Sequence, residues 1–150
     1  MEAQEQLMSQ PAQPNVIIRT AVRDDIDAII RFIEPFVEDG FLLERTVDEV
    51  DEWLPNYYLA VVDGEIVGCA ALEIYSRKLA EIRSLAVSPK MQGMGIGKML
   101  VNACVELARK KNILEVMVIT SNEHFFKAVG FDYTMTGEKK ALFIQTRDEY

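Results

Sequence analysis

The sequence predicts an α/β fold, one mixed sheet with helices on both faces, in a single domain. Three observations lead there. The segments follow one another as β-α-α-β-β-β-α-β-α-β(-β) by their apolar period. Asp63-Gly64, a strong hairpin signal, joins two long apolar runs in "YYLAVVDGEIVGCAALEIYS". An apolar run ending at Ser88-Pro89 then passes through a glycine-rich turn, "QGMGIGK", straight into an amphipathic segment.

Taken in order, "MEAQEQLMSQPAQP" is rich in Gln and Pro and has no basic or apolar leader region. It is expected to be a disordered lead-in over residues 1–14, not a secretory signal, with the domain occupying residues 15–150. "NVIIRTAV" is β-branched and reads as the first strand. Asp24 and Asp25 open a helix in which Ile26, Ile29, Ile30 and Ile33 recur at helical spacing. Pro35 should kink or shorten it, and Gly40 should stop it. Thr46 and Glu49 form a capping-box pattern for a short second helix that Pro55 closes. After the hairpin, "AEIRSLAV" is another strand. Ile96, Leu100, Cys104, Leu107 and Ala108 mark one face of a helix running to about Lys111. "ILEVMVI" reads as a buried strand and residues 122–129 as a short helix. The tail "GFDYTMTGEKKALFIQTRDEY" is expected to add one or two strands.

The 150 residues, 49% hydrophobic and 27% charged, suit one domain with one substantial core. A formal net charge of −8 disfavours nucleic acid and anionic membrane as partners. No apolar stretch approaches the roughly 20 residues that span a bilayer, and a cytoplasmic protein is expected. Cys69 and Cys104 make no metal or redox spacing and read as reduced core residues. His124, the only histidine, reads as a packing residue at a helix start, and no metal site is expected. Oligomeric state is not written in the sequence; a homodimer is one compatible outcome.

The glycine-rich turn carries the chemistry. A dinucleotide fingerprint needs a third glycine where Lys98 stands. A P-loop needs glycine at Gln92 and Ser or Thr at Met99, so both fail. The glycines could belong to a plain turn. The other reading is a pyrophosphate site, since unpaired N–H groups at a helix N-terminus, with the positive dipole end, bind such an anion.

Gln92, Gly95 and Gly97 match the (Arg/Gln)-x-x-Gly-x-(Gly/Ala) loop of the GNAT acetyltransferases, and "FFKAVGF" resembles that superfamily's (Tyr/Phe)-x-x-x-Gly-Phe segment. More narrowly, "IEPFVEDGFLLERT", "GEIVGCAALEIY", "LAEIRSLAV" and "GEKKALFIQTR" resemble the acetyltransferase domain of the N-acetylglutamate synthases. Several of those enzymes carry an arginine-sensing kinase-like domain, which this length does not accommodate; the short, stand-alone form is the match. The resemblance implies acetyl-coenzyme A as co-substrate and the α-amine of L-glutamate, a small molecule, as acceptor, with direct transfer. The alternatives are another small amine or a protein terminus as acceptor, or a non-catalytic acyl-coenzyme A sensor.

The resemblance also implies roles. A bulge in the strand Ile82–Val87 would free N–H groups, Leu85 facing the thioester carbonyl and Val87 the pantetheine amides, with Ala86 between them. Gln92, Gly93, Met94, Gly95, Ile96, Gly97 and Lys98 would hold the pyrophosphate. Glu81 would take the ammonium proton through a water, unless it is a strand-edge charge paired with Arg83. The superfamily's usual acid, a tyrosine, is Phe126 here, so the thiolate is expected to take its proton from another group or to leave unassisted; Thr120 and Ser121 align with a hydroxyl pair of the synthase family. A glutamate dianion needs cations, and Arg45 and Arg147 match family positions, with Arg83 and Lys78 as weaker candidates. After Arg147 the family's Ser-Lys ending is replaced by "DEY".

Overall fold

The structure, a computed structural model, describes residues 14–133 and 140–147. The expected lead-in up to residue 13, and residues 134–139 and 148–150 of the expected tail strands, lie outside the described residues. The chain divides after Ile119 into two compact units.

The first unit is a five-stranded sheet: β1 Ile17–Thr20, β2 Tyr57–Val62, β3 Glu65–Ile74, β4 Leu79–Val87 and β5 Glu115–Met117, in that spatial order. Every neighbouring pair is antiparallel except β4 and β5, which run parallel. Asp63 and Gly64 both take positive φ, 48° and 78°, as the tight turn between β2 and β3 requires.

One sheet face is covered by α1, Ile26–Glu38, and α2, Val47–Trp53. Ile26, Ile29 and Ile33 of α1 and Val50 of α2 form one core with Tyr57, Leu59, Cys69, Ala71 and Ala86. Ahead of α1, both Asp25 oxygens accept from the Arg19 guanidinium, at 2.8 and 2.9 Å, and Oδ2 also accepts the Val22 N–H at 2.8 Å. Contrary to the expectation, Pro35 does not shorten α1. It lies on the exposed face, as does Arg31, whose carbonyl forfeits a partner and can face water instead. The stop is at Gly40, where Gly40 N–H bonds Val37 O at 3.0 Å and Phe41 N–H bonds Phe36 O at 2.9 Å. The capping box of α2 forms as expected: the Thr46 hydroxyl accepts from Glu49 N–H, and the Glu49 carboxylate accepts from Thr46 N–H, each at 3.2 Å.

The other face carries α3, Ile96–Lys110, seated over Gly68 of β3. A Cβ on Gly68 would stand 3.0 Å from Leu100 Cδ1 and 3.2 Å from Ile96 Cγ2, so glycine lets the start of α3 lie on the sheet. The sequence expected a long buried strand in "ILEVMVI". The strand is only Glu115–Met117, at the sheet edge, with Glu115 exposed.

The second unit contains α4, Glu123–Ala128, capped by Asn122 Oδ1 accepting from Phe125 N–H at 3.2 Å. Phe126 is buried with edge-on contacts to Phe125 and Phe131, ring centroids 4.9 and 5.4 Å away. His124 is exposed in the first turn, rather than packed. Residues 131–133 and 140–147 form no strand.

Candidate active site

The site is organised by the two edges of β4. Toward β3, the register runs Gly68↔Val87 and Cys69↔Ala86, then jumps to Ala71↔Arg83, so Ser84 and Leu85 together oppose Ala70. This is a β-bulge, and Ser84 takes φ 55° within it. The Ser84 carbonyl accepts from the Cys69 thiol at 3.2 Å. The peptide linking Ser84 to Leu85 is trans, so the Leu85 N–H points the opposite way, away from Cys69. Burial pushes the Cys69 thiol up to about 12, which keeps it neutral beneath the bulge.

Toward β5, pairing stops early. Leu79, Ala80 and Glu81 pair with Glu115, Val116 and Met117, and Ile82–Val87 have no strand partner on this edge among the described residues. A bulge beside an open edge can offer backbone N–H groups to a carbonyl or an amide chain. Ala86 itself is buried in the core, so its contribution is to hold Leu85 and Val87 in place.

From Val87 the chain turns into the glycine loop. Ser88 N–H bonds Val67 O at 2.8 Å, Pro89–Met91 make a short 3-10 turn, and Gln92 Nε2 donates to Val87 O at 3.2 Å. Gln92 thus ties the loop to the strand end. Gly95 is the N-cap of α3 at φ 80°, a left-handed conformation that costs other residues energy. No side chain caps this helix, and the first bond to Gly95 O comes from Met99 N–H at 3.0 Å. The N–H groups of Ile96, Gly97 and Lys98 therefore open outward, with Ile96 buried as the anchor and Lys98 exposed beside them. Gly93, at φ 83°, and exposed Met94 complete the turn.

The sheet face under α2 holds a side-chain cluster of which the sequence announced only Glu81 and Arg83. Glu73 and Glu81 stand directly opposite each other on β3 and β4. Glu81 is 5% exposed. Its Oε1 accepts from the Tyr75 hydroxyl at 2.6 Å and from Arg83 Nη1 at 3.3 Å. The same Nη1 reaches Glu73 Oε2 at 3.0 Å, and the Tyr75 hydroxyl lies 3.0 Å from that oxygen too. Burial, then the two carboxylates, push the Tyr75 phenol up to about 12. Burial works against the Arg83 charge, but Glu81, Tyr75 and Glu73 outweigh it and raise its pKa further.

Trp53, the last residue of α2, joins this cluster to Arg45. Its ring lies 5.0 Å from the Arg45 guanidinium carbon and 6.0 Å from that of Arg83. Arg45 pairs with Glu49 at 3.2 Å, its side chain 10% exposed. Arg45 Nε, the Tyr57 hydroxyl and the Ser84 hydroxyl are buried without a hydrogen-bond partner among the described residues. Burial holds the Tyr57 phenol far above its ordinary range, and Cys69, Arg45 and Ser84 are its polar neighbours. Arg45, Arg83, Glu81, Leu85 and the glycine loop thus belong to one compact unit. Glu73, Tyr75 and Trp53 went unread because strand register and a helix end place them, although the alternating Glu-Ile-Tyr and Glu-Ile-Arg runs carry the signal.

Thr120, Ser121 and Arg147 belong to the second unit. Thr120 Oγ1 accepts the Asn122 N–H at 2.9 Å, and Ser121 is exposed. Arg147 is exposed, with its carbonyl accepting from Gln145 Nε2 at 2.8 Å. Lys78 is exposed in the β3–β4 turn. Among the described residues, no three His, Cys, Asp or Glu side chains gather to hold a metal, and no helix is long and apolar enough to cross a membrane.

The chain belongs to the GNAT acetyltransferase family, whose sequence model matches residues 26–131. It is an N-acetyltransferase by that membership, with acetyl-coenzyme A as donor. It is 37% identical over 114 residues to an uncharacterized N-acetyltransferase of Chlorobaculum tepidum, covering 76% of this chain and 74% of that one. Over 128 residues it is 30% identical to an amino-acid acetyltransferase of Mycobacterium tuberculosis, covering 83% of this chain and 73% of the relative. An N-acetylglutamate synthase of Neisseria gonorrhoeae, solved with coenzyme A and N-acetyl-glutamate, is similar at TM-score 0.74 and 31% identity, with 85% of this chain and 31% of that one covered. An amino-acid acetyltransferase of Aeromonas salmonicida, 32% identical over 116 residues and 76% of this chain, is likewise matched over only 26% of its own length. This chain spans about a third or less of those two longer relatives.

Proposed function

We propose that the chain acetylates the α-amine of L-glutamate, taking the acetyl group directly from acetyl-coenzyme A. The observation that carries this reading is the placement of Glu81 and Arg45, carboxylate and cation, on either side of the Trp53–Arg83 contact beside the bulged strand. An amino acid presents both an ammonium and a carboxylate, so its site needs both. The similarity to amino-acid acetyltransferases supports the class of acceptor.

In this reading Glu81 accepts the ammonium proton through a water. The freed amine attacks the thioester carbon, forming the C–N bond and a tetrahedral intermediate whose oxyanion the Leu85 N–H stabilises. Collapse of the intermediate breaks the C–S bond. The proton that the nitrogen sheds passes to the departing thiolate through water or, as the resemblance implies, a hydroxyl of Thr120 or Ser121, and coenzyme A leaves as its thiol. Val87 and the Gln92–Lys98 loop hold pantetheine and pyrophosphate, with no metal called upon. Arg45 binds an acceptor carboxylate, and Arg147 keeps the same role by the resemblance alone. Arg83 is engaged with two glutamates, so it serves the site mainly by holding them.

The test is thiol release from acetyl-coenzyme A measured across the free amino acids, simple polyamines and a short peptide. L-Glutamate should be far better than L-glutamine. A preference for a polyamine or the peptide terminus overturns the acceptor assignment, and no thiol release with any amine overturns catalysis itself.

A further inference from the structure

The hairpin of β3 and β4 breaks a local rule. Two carboxylates directly opposite each other across an antiparallel pair repel and destabilise the sheet. Glu73 and Glu81 occupy such a pair, with Ile74 and, just past the strand end, Tyr75 following the first and Ile82 and Arg83 following the second. Stability alone does not call for this arrangement, and such exceptions gather at functional sites. Two donors, Arg83 Nη1 and the Tyr75 hydroxyl, bridge the pair.

The two oxygens of Glu81 are treated unequally. Tyr75 and Arg83 both contact Oε1, and among the described residues Oε2 has no partner. The Glu81 side chain is not wholly enclosed, with 7% of it exposed. The carboxylate is held by one corner, and the other is left unengaged.

We infer that Tyr75 is a positioning residue for Glu81: its hydroxyl, with Arg83, fixes Oε1 so that Oε2 alone receives the acceptor's proton. This rests on Glu81 being the base in the proposed function. The phenol suits the task. Held near 12, it keeps its hydrogen throughout the neutral range and remains a donor. Its single hydrogen goes to the nearer carboxylate, Glu81 at 2.6 Å, in preference to Glu73 at 3.0 Å. Arg83 Nη1 is closer to Glu73, at 3.0 Å against 3.3 Å, so each carboxylate has its own principal donor.

The test is Tyr75→Phe, which keeps the half-exposed ring and removes only the hydroxyl. Turnover with L-glutamate should fall about tenfold while acetyl-coenzyme A affinity stays within twofold. The loss should fall on kcat, with KM for L-glutamate also within twofold, because the tyrosine orients the base and holds neither substrate. A merely structural tyrosine would lower thermal stability without that split. Wild-type kcat in Tyr75→Phe, beside a slow Glu81→Gln, overturns the positioning role and leaves the acetyltransferase reading intact. Full turnover in Glu81→Gln overturns the base itself, and with it the role of Tyr75. Tyr75→His, which retains a donor, should recover part of the lost turnover if the hydrogen bond is what matters, and none if it is not.

Discussion

The two edges of β4 solve different problems with different parts of the chain. Toward β3 the strand is paired through Val87, and the carboxylates, Tyr75 and Arg83 project from that hairpin onto the face under α2. Toward β5 it is paired only as far as Glu81, and what it offers beyond is backbone, continued into the glycine loop and the uncapped start of α3. One region does its chemistry with side chains and the other with N–H groups. A side-chain site can be altered atom by atom without moving the fold. A backbone site can be altered only through the conformations that shape it.

Glu81→Gln gives the largest expected effect on the side-chain region. Turnover should fall about 10²-fold, within the usual range for a general base. Much of that rate should return at high pH, where more of the acceptor amine is already neutral. Steady-state kinetics across pH will check this, and wild-type turnover at neutral pH would reduce Glu81 to an ion-pair partner of Arg83.

Arg45→Ala should raise KM for L-glutamate by the equivalent of about 1.5–3 kcal/mol, the usual worth of a hydrogen bond to a charged group. Acetyl-coenzyme A KM should hardly move, because Arg45 is not part of the glycine loop. Equal changes in both KM values would contradict the division between the regions.

Gly68→Val tests the support of the backbone region. A Cβ 3.0 Å from Leu100 Cδ1 and 3.2 Å from Ile96 Cγ2 is tight, and the two methyls of valine crowd the start of α3 further. The strain should cost about 1–3 kcal/mol in denaturant unfolding, with a loss of coenzyme affinity alongside it.

Asp25→Asn should have the smallest effect, about 1 kcal/mol of stability at neutral pH, in the range of one helix-start cap. The Arg19 guanidinium beside Asp25 holds its carboxyl below the usual carboxylate range. The wild-type contribution is therefore present above the unfolded-state pKa, near 4, and is lost as pH falls through the lower folded value. Unfolding curves of wild type and variant should converge in strong acid. Activity of the two at neutral pH should be equal.

Legibility in the sequence follows the same division. The backbone region could be read because glycine at a strand-to-helix turn has few uses, and Gly93 and Gly95 do take positive φ. The helices were read from isoleucine spacing and a capping box, and the β2–β3 hairpin from Asp63-Gly64. Two errors came from judging a residue type without its surroundings. Pro35 is tolerated because it faces outward, and "ILEVMVI" is apolar enough for a buried strand but pairs over only three residues at the sheet edge. Glu81, Arg83 and Arg45 were singled out, but the partners that orient them were not. Tyr75 reaches Glu81 across a hairpin and Trp53 contacts two arginines from the end of another element. Such contacts depend on register, which no single strand's sequence contains.

The most direct test of the division is a crossed measurement on Glu81→Gln and Gly95→Val. Each folded variant is titrated calorimetrically with acetyl-coenzyme A and assayed for turnover with L-glutamate at saturating coenzyme. Valine at Gly95 must adopt φ near 80° or distort the N-cap of α3. Coenzyme affinity should therefore weaken by about tenfold or more, equivalent to about 1.4 kcal/mol, with turnover largely recovered at saturation. Glu81→Gln should show the reverse, intact affinity and turnover down about 10²-fold. Unchanged coenzyme affinity in Gly95→Val, or lost affinity in Glu81→Gln, would contradict the assignment of coenzyme to the backbone edge and proton transfer to the side-chain edge.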